Sequence, residues 1–268
     1  MYSGFELKLD DSILSRLKRD INYTPCQPLV TDSVDKFKLK LKDLILNNGD
    51  LSATKMWEQW FPEISCHVFI SHSHRNEDDA KTFAQWLYQN FGIKSFIDST
   101  VWGYADELLK KIDKNFCLNS CGKTYNYDKR NISTAHIHMI LMSALVKMMD
   151  KTECVIFLNT PESINTKDAI TDRHTTYSPW IYGELLFSDL LRKNIPERIK
   201  TQISLEKMES VLAEDRKLLV QYPANLKHLV ELNGTDLETW MTKSRTNEPL
   251  NNLDLLYQIK NVGESHGK

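Results

Sequence analysis

The sequence predicts an α/β fold in which a parallel β-sheet carries helices on both faces. Three short apolar runs, at residues 68–71, 94–98 and 155–158, have the length and composition of buried strands. Longer segments with helical patterns lie between them, at residues 77–90 and 135–149. Strands that alternate with helices along a chain are typical of βαβ units, whose strands run parallel.

Composition and charge narrow the possible classes of function. Hydrophobic residues make up 41% of the 268 residues and charged residues 26%, the proportions of a globular protein. A formal net charge of −2 gives no reason to expect nucleic acid as a partner. No apolar run approaches the ~20 residues that span a bilayer, and the N-terminus lacks a signal-peptide pattern. Five cysteines without framework spacing are typical of reduced thiols, so we expect a cytoplasmic protein without a membrane partner.

Residues 1–62 are predicted to form a helical N-terminal extension. Val34 and Phe37 begin a run of apolar residues at helical spacing, although residues 37–41 also alternate as a strand would. The longer pattern favours the helix. Ser52 can cap a second helix after it.

Residues 65–195 carry the alternation of strands and helices. The first helix of this part is amphipathic and is expected to end at Gly92. A short helix at residues 106–112 precedes a polar insertion at residues 114–133. The segment 135–149 is apolar almost all round, which predicts a buried helix.

Residues 196–268 are predicted to be a C-terminal elaboration of the same domain. A helical pattern occupies residues 205–212, and residues 218–222 have the composition of a further strand. Leu253, Leu256 and Ile259 follow the spacing of a terminal helix.

Side chains that can contact a ligand occur where the predicted strands end. Ser71, His72 and Ser73 complete the first strand, and Asp98 completes the second. Another polar loop precedes Trp180. Because ligands of parallel α/β sheets bind at the carboxyl ends of the strands, the sequence predicts a binding site at this edge.

Three motifs in a fixed order carry a family resemblance. They are Val68-Phe69-Ile70-Ser71, then Phe96-Ile97-Asp98 followed by the loop 99–105, and then Ser178-Pro179-Trp180-Ile181-Tyr182-Gly183-Glu184. On this strand–helix alternation the sequence resembles the Toll/interleukin-1 receptor (TIR) domain family over residues 65–195. The resemblance implies a flavodoxin-like parallel sheet, to which the helical N-terminal extension and the C-terminal elaboration are added.

The resemblance also implies an activity. Enzymatic members of the family cleave the bond between nicotinamide and ribose in NAD, and their essential glutamate matches Glu184. We therefore expect an NAD+ glycohydrolase or ADP-ribosyl cyclase-like enzyme, with NAD as substrate, no cofactor and no metal. A carboxylate beside the ribose can stabilise the oxocarbenium-like charge that loss of nicotinamide creates. The residues expected to bind the substrate are Ser71, His72, Ser73, Asp98, Trp102, Tyr104, Ser178 and Trp180.

The resemblance is to stand-alone bacterial members of the family, because no receptor or membrane segment is visible. It implies anti-phage immunity by NAD depletion or nucleotide signalling, with self-association through TIR domains or an activating partner. The alternative is a non-enzymatic TIR–TIR adaptor that binds through the loop around Trp102. Two features depart from the family. The insertion 114–133 is longer than the usual connection, and the acidic residue that is common soon after the first strand is displaced or replaced, with Asn76 followed by Glu77 and Asp78.

Simpler roles stay open for several of these residues. Glu184 could be a solvated glutamate in the first turn of a helix, where the helix dipole favours it. Ser73 could cap the following helix, and Trp180 could pack within the fold instead of contacting the substrate. His72 and His74 could bind the metal of a hydrolase, although a further histidine ligand is not found nearby in the sequence.

Overall fold

Five parallel strands form the main sheet of the computed structural model, which describes residues 1–21, 51–61, 63–164, 174–199, 222–246 and 248–262. The predicted α/β class is confirmed. The strands are β1 (Ser3–Lys8), β2 (Val68–Ser71), β3 (Ser95–Ile97), β4 (Cys154–Asn159), β5 (Thr175–Thr176), β6 (Tyr222–Pro223) and β7 (Val230–Leu232). The helices are α1 (Asp11–Asp20), α2 (Ala53–Trp60), α3 (Glu77–Phe91), α4 (Asp98–Phe116), α5 (Tyr127–Lys151), α6 (Pro179–Leu190), α7 (Gly234–Lys243) and α8 (Pro249–Ile259), with a short 3₁₀ helix at His74–Asn76.

Helices cover both faces of the sheet. Side chains of a strand alternate between faces, so Val68 and Ile70 pack with α1, α3, α7 and α8, whereas Phe69 packs on the opposite face. That second face is covered by α2, α4, α5 and α6. The main sheet has the strand order β3–β2–β4–β1–β7, and the two-residue strands β5 and β6 pair with each other in antiparallel fashion.

The position of β1 corrects the prediction that residues 1–62 are a helical extension. Residues 3–8 form a strand that lies between β4 and β7 and pairs in parallel with both. Phe5 and Leu7 are fully buried on one face, and this two-residue alternation belongs to a strand rather than to a helix. The N-terminal segment is therefore part of the same sheet as the central residues.

The strand order is compatible with a flavodoxin-like fold, although the strands follow one another along the chain in a different order. Flavodoxin-like sheets have the order 2-1-3-4-5. Counted from β2, the strands β3, β2 and β4 occupy the first three places of that order, β1 occupies the fourth and β7 the fifth. A strand from the start of the chain thus fills a place that a later strand holds in the usual connectivity.

The loop predicted at residues 99–105 is also corrected. Helix α4 begins at Asp98, immediately after β3, and continues to Phe116, so the backbone of this segment is helical. No proline interrupts it, and its one glycine, Gly103, costs a helix only about 1 kcal/mol relative to alanine.

The predicted insertion at residues 114–133 proves to be the tip of a helical hairpin. Helix α4 supplies its first residues, and α5 begins at Tyr127 after Asn126, whose side chain caps the helix. Buried Asp113 joins the two helices, because it accepts hydrogen bonds from Ser133 Oγ at 2.7 Å and Arg130 Nε at 2.9 Å. Polar residues near this tip therefore serve helix–helix packing.

Several local predictions are confirmed. Ser52 caps α2 by accepting a hydrogen bond from the backbone of Lys55 at 3.2 Å. Helix α3 ends at Gly92, whose φ of 68° is the left-handed conformation that glycine adopts at low cost. The terminal helix is present as α8. The helix expected from Val34 onward and the helix at 205–212 lie outside the described residues, as does most of the strand at 218–222.

Helix α5 extends well beyond the segment 135–149 that the sequence predicts. Among the described residues, α5 is the one helix that is long enough and apolar enough to cross a membrane, judged by length and composition alone. A core helix can meet the same criterion, and α5 packs against α4 and α6. Its buried residues are Ser133, Ile137, Leu141, Ala144, Leu145, Met148 and Met149.

Candidate active site

The site lies where β2 reaches the carboxyl edge of the sheet. Ser71 is the last residue of β2 and pairs in register with Phe157 of β4. Because Phe69 faces the second side of the sheet, Ser71 faces the same side, where α6 packs. Ser71 is 1% exposed, so its hydroxyl group needs a hydrogen-bond partner within the protein.

Helix α6 carries Glu184 to this hydroxyl. The helix begins after Ser178, whose Oγ accepts a hydrogen bond from the backbone of Ile181 at 3.3 Å, and Pro179 occupies the first helical position. Glu184 therefore lies in the second turn and not in the first. Its face of the helix is buried and also carries Ile181 and Ser188. Glu184 itself is 2% exposed, which overturns the interpretation of a solvated glutamate.

Ser71 and Glu184 form the central contact of the site. Ser71 Oγ donates a hydrogen bond to Glu184 Oε2 over 2.5 Å, the short distance expected of a hydroxyl bound to a carboxylate. The two residues are 113 positions apart in the sequence. Burial of a carboxylate is costly without hydrogen bonds, so this contact helps to hold Glu184 at the end of β2.

The residues that follow Ser71 separate into different environments. His72 and Ser73 are buried, whereas the side chain of His74 is 75% exposed and its Nδ1 lies 4.0 Å from Glu77 Oε2. Two imidazoles in such different surroundings do not form the start of a metal site. Within the described ranges, no group of three or more histidine, cysteine, aspartate or glutamate side chains could hold a metal ion.

The proposed capping role of Ser73 is wrong. Neither Ser73 nor Asn76 caps the helical segment after it with its side chain. Asn76 Oδ1 instead accepts a hydrogen bond from Thr160 Oγ1 at 2.8 Å, and Asn76 Nδ2 donates to Asp79 at 3.2 Å. The turn after β2 is therefore tied to the turn after β4 at the carboxyl edge.

The other predicted substrate-binding residues have varied positions. The backbone of Asp98 follows Ile97, which pairs with Ile70, so α4 begins at the same edge of the sheet as the site. The side chains of Asp98, Trp102 and Tyr104 lie outside the described part of the structure. Ser178 is the cap of α6, as given above. Trp180 is partly buried in the second core cluster, and its ring meets that of His138 edge-to-face at 5.2 Å.

A further segment, residues 222–229, also packs against α6, and the sequence did not predict this contact. Tyr222 stacks on Tyr182 at 4.7 Å between ring centroids, and β6 pairs with β5 just before the helix. Farther along the helix, Ser188 Oγ lies 2.7 Å from His228 Nε2. Residues 222 and 228 are far from α6 in the chain, so no local sequence pattern indicates these contacts.

Ser188, His228 and Asp189 have the residue types of a hydrolase triad but not its geometry. The distance from His228 Nδ1 to Asp189 Oδ1 is 4.0 Å, beyond hydrogen-bond reach. Ser188 is 1% exposed, and its hydroxyl donates to the carbonyl oxygen of Leu185 at 2.9 Å. Burial lowers the pKa of His228, although Asp189 opposes this effect. The group anchors a helix and does not present a nucleophile.

Comparison of the chain with models of protein families, with curated proteins and with solved structures finds no match.

Proposed function

We propose that the chain cleaves the bond between nicotinamide and ribose in NAD, with Glu184 as the carboxylate that acts at the ribose. The observation that carries this proposal is the buried hydrogen bond from Ser71 to Glu184 at the carboxyl edge of the sheet. Ligands of open α/β sheets bind at this edge. The motif order that resembles TIR domains supports the same residue.

The reaction needs what this arrangement offers. When the bond from C1′ to nicotinamide breaks, its electron pair leaves with the neutral base and the ribose gains oxocarbenium character. The carboxylate of Glu184 would stabilise that charge, and Ser71 would fix its orientation. Water then attacks C1′ and loses a proton, which yields ADP-ribose. If a nitrogen of the adenine attacks in place of water, the product is a cyclic isomer.

The direct test is incubation of concentrated purified protein with NAD, with products separated by chromatography. We expect the wild type to release nicotinamide and the Glu184→Gln variant to lose at least 100-fold of that activity, a loss of about 2.7 kcal/mol of transition-state stabilisation. Glu58→Gln is the matched control, since Glu58 is an exposed carboxylate on α2. Equal activity of Glu184→Gln and wild type would exclude this role for Glu184.

Protein–protein association is the second candidate function, and exposed apolar side chains favour it. On α5, Ile132 and Met139 are 59% and 68% exposed, and they lie on one face of the helix. Exposed apolar side chains that share one face of a helix are typical of interaction surfaces. We propose self-association through this surface, with or without enzymatic activity, and a role in cytoplasmic anti-phage defence of bacteria as the resemblance implies.

A further inference from the structure

Glu6 is a second buried carboxylate, and the reaction proposed above does not use it. It lies in the middle of β1 and is 8% exposed. Central strands of parallel sheets are usually apolar throughout, because both of their faces are covered. Among the described residues no lysine or arginine forms an ion pair with Glu6, and the nearby Lys8 pairs with Glu231 instead at 3.0 Å. A carboxylate in this position calls for an explanation beyond packing.

The partner of Glu6 is an amide at the end of the next strand. Asn159 Nδ2 donates a hydrogen bond to Glu6 Oε1 over 2.6 Å, and Asn159 is the last residue of β4. This contact occupies one amide hydrogen and one carboxylate oxygen. Other groups of the two side chains can also form hydrogen bonds. The second carboxylate oxygen of Glu6 and the amide oxygen of Asn159 are acceptors, and the second amide hydrogen of Asn159 is a donor.

The register of the sheet aligns Glu6 with the Ser71–Glu184 contact. Phe157 of β4 pairs with Ser71 on one side and with Glu6 on the other, so the three residues form one row across β2, β4 and β1. Phe5 and Leu7 belong to the first core, and Glu6 between them therefore faces the second side of the sheet, like Ser71. Two strand spacings separate Ser71 from Glu6, a distance of about 10 Å.

This spacing limits the ligand. About 10 Å exceeds the width of one sugar ring, so a single ribose cannot contact both positions, whereas a dinucleotide has two riboses. A carboxylate is the group that dinucleotide-binding sheets use to accept hydrogen bonds from ribose hydroxyls. Phe157, between the two positions, is buried under Ile181 and Leu185. A ligand that reaches both Glu184 and Glu6 would therefore lie along the carboxyl edge of the sheet, beside Asn159.

We propose that Glu6 and Asn159 bind the hydroxyl groups of the adenosine ribose while the nicotinamide ribose lies at Glu184. This inference rests on the proposed function, since it names a second part of the same substrate pocket. On this proposal, the N-terminal strand β1 provides the specificity for a dinucleotide. The residues that select the substrate and the residue that acts on it then lie on different strands.

The test measures binding of ADP and of 2′-deoxy-ADP to the full chain by calorimetry, which needs no turnover. Wild-type protein should bind ADP about tenfold or more tightly than the deoxy compound, the effect of one hydrogen bond to a charged group. Glu6→Gln should remove most of this preference and should raise KM for NAD about tenfold, with a smaller change in kcat. Equal binding of the two nucleotides by wild-type protein would overturn the proposal.

Glu58→Gln is the control for charge, because Glu58 is an exposed carboxylate on α2. It removes the same charge and should keep the preference for ADP. If Glu6→Gln fails to fold, Asn159→Ala provides the same test, and a folded Asn159→Ala protein with unchanged preference would also overturn the proposal. Failure of the reaction itself has a different signature, namely nucleotide binding that depends on Glu6 without release of nicotinamide.

Discussion

Ser71 Oγ and Glu184 Oε2 lie 2.5 Å apart, which joins the end of β2 to the second turn of α6 by a buried hydrogen bond. The strand and the helix are positioned by unrelated signals, namely sheet register for Ser71 and an N-cap for the helix. Their meeting at the carboxyl edge is the feature on which the proposed chemistry depends. It also provides the first prediction.

Ser71→Ala should reduce the release of nicotinamide from NAD by about tenfold or more, because it removes a hydrogen bond to a buried carboxylate. It should also lower the free energy of unfolding by about 1–3 kcal/mol. Rates and thermal melting are measured beside Ser120→Ala, which alters an exposed serine at the tip of the α4–α5 hairpin. Unchanged rates in Ser71→Ala would show that the hydrogen bond has no part in catalysis. Ser71→Thr keeps a hydroxyl and should restore part of the activity.

Signals that act over a few residues were sufficient to predict this part of the molecule. The run Val68–Ser71 ends in a hydroxyl, and the pair Ser178 and Pro179 marks the start of α6. The spacing to Glu184 then follows from helical geometry. The family resemblance indicated Glu184. No local pattern indicated that Ser71 donates a hydrogen bond to it, because the two residues are distant in sequence.

The N-terminal strand shows why the rest could not be predicted. The six residues of β1 include a glycine, a glutamate and a lysine, and only Phe5 and Leu7 mark them as a strand. Their partners are residues 154–159 and 230–232, which no local pattern connects with the N-terminus. The burial of Glu6 depends on these distant strands. For the same reason, the bracing of α6 by residues 222–228 had no signal near α6 itself.

Gly183, next to Glu184, provides a second prediction, because it allows α6 to approach α5 closely. A Cβ atom at this position would lie 2.8 Å from the terminal methyl carbon of Met142. That methyl group is the flexible end of a side chain, and alanine gains about 1 kcal/mol of helix propensity over glycine. We expect Gly183→Ala to change stability by less than about 1 kcal/mol and Gly183→Leu to lower it by about 1–3 kcal/mol. Urea unfolding measures both, and equal effects of the two substitutions would contradict this packing argument.

The exposed apolar residues of α5 provide a third prediction. If the protein associates through this helix, Met139→Lys should weaken the association, because a charge replaces a side chain that would be buried between copies. Light scattering over a range of protein concentrations measures the mass. Asn131→Lys adds the same charge at an exposed polar position of the same helix and should behave like the wild type. A mass that stays monomeric in wild-type protein would remove α5 as an interface.

The described cysteines provide a fourth prediction. Burial raises the pKa of Cys66 to about 12, and burial also raises the pKa of Cys117 and Cys154. Cys121 is exposed, and hydrogen bonds from the backbone and from Thr124 lower its pKa. Since the thiolate is the reactive form, iodoacetamide at neutral pH should alkylate Cys121 first among these four. Peptide mass spectrometry identifies the site, and faster modification of Cys66 would contradict the assignment.

The contact between His228 and Ser188 provides a fifth prediction, on the dependence of stability on pH. Burial lowers the pKa of folded His228 below its usual value of 6.5, while Asp189 opposes and Lys193 adds to this effect. The unfolded chain therefore binds a proton at a higher pH than the folded chain does. The contribution of His228 to the free energy of unfolding should be fully present well above pH 6.5 and should be lost as pH drops toward the folded pKa.

His67 has a pKa lowered in the same direction, so wild-type protein alone does not isolate His228. The difference between the wild type and His228→Gln does, because glutamine can still contact the hydroxyl of Ser188 but does not titrate. Urea unfolding at several pH values between 5 and 8 should show a smaller loss of stability at low pH in His228→Gln than in the wild type. Parallel curves for the wild type and His228→Gln would contradict the lowered pKa of His228. The contact with Ser188 would then not depend on a neutral imidazole.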